Sequence, residues 1–326
     1  MFRPVLCQLP RWCAVLLAAA VASHSAWAAW PDDKPIEVVV GFAPGGGTDL
    51  MARKLLPFVQ KRLGGKAQFI VVNKPGASGE ILTTYVAKAR PDGYTLAVVN
   101  LPGFLYAPMT RKTQYQPDDL QLVARVVDDP TVLVARADGP LRSLQTVVGV
   151  SKQSPSSVSA GHNGDGSNGD LALELFQNAA HVRLTPVAYK GTGQQKTDLL
   201  GGHLQLATIS AGEALDLKSG GTAVQVITQF TGKRSKALPD VPTAAESGYA
   251  VQMSSERGFA APRGTEPVIV ERLEKAIAES LKDPEFIATA TSDAPVLAYL
   301  PGAQWQKSLE GNRKLLHAIA EKRPHQ

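Results

Sequence analysis

The chain has 326 residues, 44% of them hydrophobic and 19% charged, with 34 basic against 29 acidic side chains and a formal net charge of +5. These proportions are those of an ordinary globular protein with room for one large or two medium domains. The basic residues are scattered, with no Lys/Arg cluster interleaved with aromatics, so no nucleic-acid partner is expected.

The first 28 residues set the expected compartment. Arg3 and Arg11 precede an apolar run over residues 13–22, and the small-residue site Ala26-Trp27-Ala28 follows. That order is the order of a secretory signal peptide. The run is shorter than the ~20 apolar residues that span a bilayer. An uncleaved anchor is the other arrangement open to such a segment. Cys13 lies inside the run with no small-residue site directly before it, which argues against a lipoprotein. Residues 1–28 therefore read as a signal peptide, and the protein as periplasmic. The mature chain would lose Cys7 and Cys13, the only two cysteines. That loss excludes a disulfide framework, a thiolate nucleophile and a Cys-based zinc site.

Beyond the signal, short β-rich runs alternate with stretches of helical periodicity. Residues 36–42 (IEVVVGF) read as a buried strand, and 49–63 as a helix with Leu50, Leu55, Leu56, Val59 and Leu63 apolar. Pro57 falls inside that helix, where it removes a hydrogen bond and clashes with the preceding turn, so a kink is expected. A strand at 69–72, a helix at 80–89 and a strand at 95–99 follow. A second series opens at 132–135 (VLVA) and continues with a helix at 143–152, a strand at 157–160, a helix at 170–179 and a strand at 184–189. A short helix at 194–200 and strands at 204–209 and 224–229 complete it. Near Phe259 the pattern changes. Residues 267–282 form an amphipathic helix with Val270, Leu273, Ile277 and Leu281 on one face, and 302–320 form another. This alternation predicts an α/β fold, a mostly parallel sheet flanked by helices.

Three strand-to-helix turns share one chemistry. The first is Phe42-Ala43-Pro44-Gly45-Gly46-Gly47-Thr48-Asp49. Its glycines allow close backbone approach, and the helix after it presents unpaired N–H groups and a positive dipole end. It lacks both the Gly-Lys-Ser/Thr of a Walker loop and the G-x-G-x-x-G of a dinucleotide site. A carboxylate site fits it better than a phosphate site, and a plain capped turn is the alternative. The second turn, residues 161–170 (GHNGDGSNGD), carries a capping box from Ser167 to Asp170. Asp165 and Asp170 would repel a carboxylate, so they point outward or meet a cationic group on the ligand. The third is Tyr189-Lys190-Gly191-Thr192-Gly193, where Lys190 could attract an acid. Ligands of open α/β sheets bind outside the carboxyl ends of strands, where all three turns fall.

Catalytic constellations are poor. His162, His181, His203, His317 and His325 show no metal-binding spacing, and no G-x-S-x-G elbow occurs. No enzyme activity, metal or cofactor is expected.

Taken in order, FAPGGGTDLMAR (42–53), VNKPGASGE (72–80), ARPDGYTL (89–96), AYKGTGQQKTDLLGGHLQLA (188–207), GKRSKALPDVPTAAESGY (232–249) and GFAAPRGTEP (258–267) resemble the substrate-binding receptors of tripartite tricarboxylate transporters, the Bug receptor family. The resemblance spans nearly the whole mature chain. It implies a two-lobe type II periplasmic-binding-protein fold with two crossover segments, lobe 1 over 29–131 plus 253–326 and lobe 2 over 132–252. It implies a monomeric periplasmic receptor that binds a small organic acid between the lobes and delivers it to membrane permease subunits. The ligand would be held largely by main-chain groups and bridging waters. The implied contacts are Phe42 through Asp49, Asn100, Leu101 and Pro102 on lobe 1. On lobe 2 they are Gly166, Ser167, Asn168, Gly169, Tyr189, Lys190, Gly191, Thr208 and Ser210. Two features depart from the family pattern. The second loop is more acidic than usual, and the return crossover carries Arg257, placed to grip a carboxylate or to pair with its neighbour Glu256. A periplasmic sensor for a signalling partner, and less readily an enzyme on the same scaffold, are the competing readings.

Overall fold

The computed structural model describes residues 30–290 and 293–323, so the signal-peptide reading of residues 1–28 lies outside the described residues. Strand β1 (Ile36–Val40) lies between β2 (Phe69–Asn73) and β3 (Thr95–Leu101), all parallel. Ile36, Val38, Val39 and Val40 are fully buried. A strand covered on both faces reads as a continuous apolar run for this reason. Val38 and Val40 pack with Met51, Leu55 and Val59 of helix α1 (Gly47–Leu63), while Val39 packs with Leu82 and Val86 of α2 (Glu80–Ala87) on the other face. Helix α1 runs on through Pro57, which is exposed, so the carbonyl its ring frees faces solvent. Helix α3 (Gly103–Thr110) follows β3.

Strand β4 (Leu120–Arg136) is 17 residues long and belongs to both halves of the sheet. From Leu120 to Pro130 it pairs antiparallel with β9 (Ser254–Pro262), which in turn pairs with β3. From Thr131 to Arg136 it pairs with β7 (Leu206–Ser210) on one side and β8 (Val224–Gln229) on the other. Parallel β5 (Ser159–His162) and β6 (Thr185–Ala188) extend the sheet beyond β7. Helices α4 (Leu144–Gln153), α5 (Asn168–Ala180), α6 (Thr192–Leu200) and α7 (Ala211–Ser219) accompany this half. The chain ends with α8 (Pro267–Ser280), α9 (Pro284–Thr289), β10 (Leu297–Pro301) against β4, and α10 (Gly302–Ala320). The result is the expected α/β architecture, a mixed sheet with flanking helices.

Two expectations need correcting. The strand read as opening at Val132 begins at Leu120, because Asp128, Asp129 and Pro130 sit within it rather than breaking it. Asp129 tolerates a buried position because Arg257 of β9 neutralises it. Residues near 253–258, read only as a crossover, form the start of β9. Two bulges in β4, between Leu122 and Ala124 and between Arg125 and Val127, bend the strand where Gly258 and Gly302 press against its backbone.

Candidate functional site

Four helix N-termini meet where the two halves of the sheet face each other. They belong to α1 at Gly47, α5 at Asn168, α6 at Thr192 and α7 at Ser210. Together with Asn100 at the end of β3 and Arg257 on β9, they line a polar cavity of about 30 Å³. That is room for one or two waters. Each N-terminus carries roughly half a positive charge, so their convergence favours negative charge at one point, part of it supplied by Glu213 and Asp170 themselves. A larger depression of about 340 Å³ lies beside the strand junction, lined by Leu101, Pro102, Pro130, Phe230 and Met253.

Of the residues singled out in the sequence, Phe42, Gly46, Gly47, Thr48, Asn100, Asn168, Ser210 and Arg257 border the small cavity. The others support its walls or lie elsewhere. The Ala43 amide donates to the Lys190 carbonyl at 3.3 Å, and Gly191 lies against Ala43, so the first and third glycine turns touch. Pro44 and Gly45 belong to the same turn; the Gly45 amide donates to Asp49 at 3.0 Å. Asp49 is buried and also accepts from Arg53 and Asn73. Burial pushes its carboxyl up, but Arg53, the Gly45 amide and Asn73 outweigh that and hold it below the ordinary carboxylate range. Leu101 and Pro102 line the larger depression instead. Ser167 caps α5, Gly169 packs on Thr208, and Thr208 donates to the Gly161 carbonyl at 2.7 Å. Tyr189 donates to Asp198 at 2.8 Å.

The acidic second loop is resolved in the same way. Asp165 is exposed. Asp170 accepts the Gly166 amide at 2.8 Å and Arg323, from just beyond α10, at 2.8 Å. Arg323 also pairs with Glu174. These bonds tie the C-terminal helix to α5 across the cleft.

Arg257 pairs neither with Glu256 nor with solvent. It is 2% exposed and its Nη2 donates to Asp129, itself fully buried. Burial raises the Asp129 carboxyl to about 6, opposed by Arg257. Glu256 instead accepts from Arg125 at 2.9 Å, Trp305 at 2.8 Å and Asn312 at 2.8 Å.

Asn163, Thr192, Ser255 and Glu213 also line the cavity and were not singled out as ligand contacts. Glu213 matters most. Its Oε1 accepts the Gly47 amide at 2.7 Å across the cleft, and its Oε2 accepts the Ser210 amide at 3.0 Å and hydroxyl at 3.2 Å. Burial pushes its carboxyl up, but Lys196, Arg257 and the amides of Ser210 and Gly47 outweigh that and keep it ionised. Ser210-x-x-Glu213 is a capping box, a signal present in the sequence. Its contact with Gly47, 166 residues away, is not legible there.

The chain is thus an α/β protein, a mixed sheet with flanking helices, and a small polar cavity lies where its two halves meet. The sequence model of the tripartite tricarboxylate transporter family receptor matches residues 51–314, and the chain belongs to this family of periplasmic solute-binding proteins. Protein BugT of Bordetella pertussis is 34% identical over 277 residues, 81% of this chain and 82% of BugT. The structure of the periplasmic binding protein BugD is similar with a TM-score of 0.81 at 30% identity, covering 89% of this chain and 97% of BugD. MatC of Rhodopseudomonas palustris, solved with bound malate, gives 0.80 at 27% identity, covering 89% of this chain and 99% of MatC. Among the described residues no helix is long and apolar enough to cross a membrane.

Proposed function

We propose that the protein is a periplasmic receptor that takes a small organic acid between lobe 1 (29–131 plus 253–326) and lobe 2 (132–252) and delivers it to membrane permease subunits of a tripartite transporter. The observation that carries this reading is the convergence of four helix N-termini and Arg257 on one cavity. The malate bound to MatC supports an acid as ligand.

The cavity is too small for such an acid, so uptake requires the lobes to part. The chain would cross between them near Pro130–Thr131 of β4 and again just before β9, and a hinge at these crossings is part of this reading. Opening breaks the contacts Ala43–Lys190, Gly47–Glu213 and Arg323–Asp170. Closure on a ligand must restore at least as much.

The test is calorimetry and thermal unfolding with a panel of organic acids and amino acids. A ligand at 100 times its Kd is expected to add about 2.7 kcal/mol of stability. A folded protein that answers to no member of the panel is not an acid receptor.

A further inference from the structure

Glu213 occupies the place where the sequence leads one to expect a ligand carboxylate. Its carboxylate takes the Gly47 amide at the start of α1 and caps α7. The positive ends of those two helices are therefore already met by the protein's own anion. The N-terminus of α5 is met in the same way by Asp170. Helix α6 is the exception: its first turn holds no acid and its N-cap, Gly191, makes no side-chain bond.

Arg257 lies beside Glu213, as a Cβ placed on Gly47 would touch both side chains. Its Nη2 is spent on Asp129, and its Nε is buried with no hydrogen-bond partner. A buried, unpartnered N–H on a residue that borders the cavity is a donor waiting for an acceptor. Of about four acceptor sites on the Glu213 carboxylate, three are filled, and one on Oε1 is left. The two ionised groups bordering the cavity, Arg257 and Glu213, are of opposite sign, and Arg257 is already paired with Asp129 behind it. Lys196 acts on Glu213 from α6 but does not line the cavity, and Lys54 pairs with Asp293 behind it.

A plain dicarboxylate would bring a second anion against Glu213. A ligand with one carboxylate and one ammonium group would satisfy both open positions. We propose that Glu213 and Arg257 together select a zwitterionic acid, an amino acid, over the same acid lacking its amine. The carboxylate goes to Arg257 and the N-terminus of α6, and the ammonium to Glu213. This deepens the receptor reading above and rests on it.

Matched pairs test it: aspartate against succinate, glutamate against glutarate, and the remaining common amino acids against their deaminated acids, by calorimetry on the mature protein. The wild type is expected to bind at least one amino member about tenfold or more tighter than its partner. Glu213→Gln, which keeps one acceptor oxygen for the Ser210 cap and replaces the other with an NH2, is expected to erase or reverse that preference. Equal or tighter binding of the deaminated acids by the wild type overturns the inference and leaves the receptor reading standing, with no variant needed. A preference that survives Glu213→Gln overturns the role of Glu213. Binding of neither member of any pair by the folded protein overturns the receptor reading and this inference with it.

Discussion

Arg257→Ala is expected to lower folding stability by about 3–5 kcal/mol, because it strands the Asp129 carboxylate in a fully buried position. The loss should depend on pH. Burial already raises the Asp129 carboxyl to about 6 with Arg257 beside it, and removing the guanidinium raises it further. An acid raised by folding adds stability below its unfolded pKa and loses it as pH rises through the folded value. The deficit of the variant against wild type is therefore larger at pH 8 than at pH 5. Pairing Asp129→Asn with Arg257→Met should recover most of the loss, since asparagine still accepts the Gly212 amide now given to Asp129 at 3.1 Å. Neither variant should retain ligand. Urea unfolding at the two pH values reads the result, and a loss below about 1 kcal/mol at pH 8 would show that water reaches Asp129.

Gly258→Ala is expected to destabilise by about 3 kcal/mol, at the upper end of overpacking costs. Gly258 faces Arg125 across the bulged stretch of β4. A Cβ there would collide with the Ala124 carbonyl oxygen and approach the Arg125 Cα and the Trp305 ring to 2.7 Å. Two of these three contacts are backbone, which cannot swing away. Gly311→Ala is the matched control. It lies mid-way along α10 with nothing within 4 Å of its would-be Cβ, so it should gain about 0.5–1 kcal/mol from helix propensity alone. Equal effects from the two substitutions would refute the contact between β9 and β4 as described.

The first half of the chain is legible because its strands are short apolar runs closed by glycine and proline turns. Ile36–Val40 and Thr95–Leu101 could hardly be read otherwise. Strand β9 resisted because it starts Ser-Ser-Glu-Arg, a polar stretch that pairs in the interior only because Asp129, Arg125 and Trp305 are there to meet it. The lower part of β4 was hidden by Asp128-Asp129-Pro130, a composition typical of turns. The site shows the same division. Glycine turns before helices are local signals, and they marked three of the four helix N-termini at the cavity. The partners of those turns are set by topology. No spacing rule links Glu213 to Gly47, or Arg323 to Asp170.

Strand β4 stands in the middle of the strand order, and one unbroken backbone serves as a central rung for β9 at one end and for β7 and β8 at the other. Neither half of the sheet is complete without it. Melting of either half withdraws ladder bonds from the other, so the two halves lose structure as one cooperative unit. The joint that lets the halves turn against each other is also what keeps either from coming apart alone.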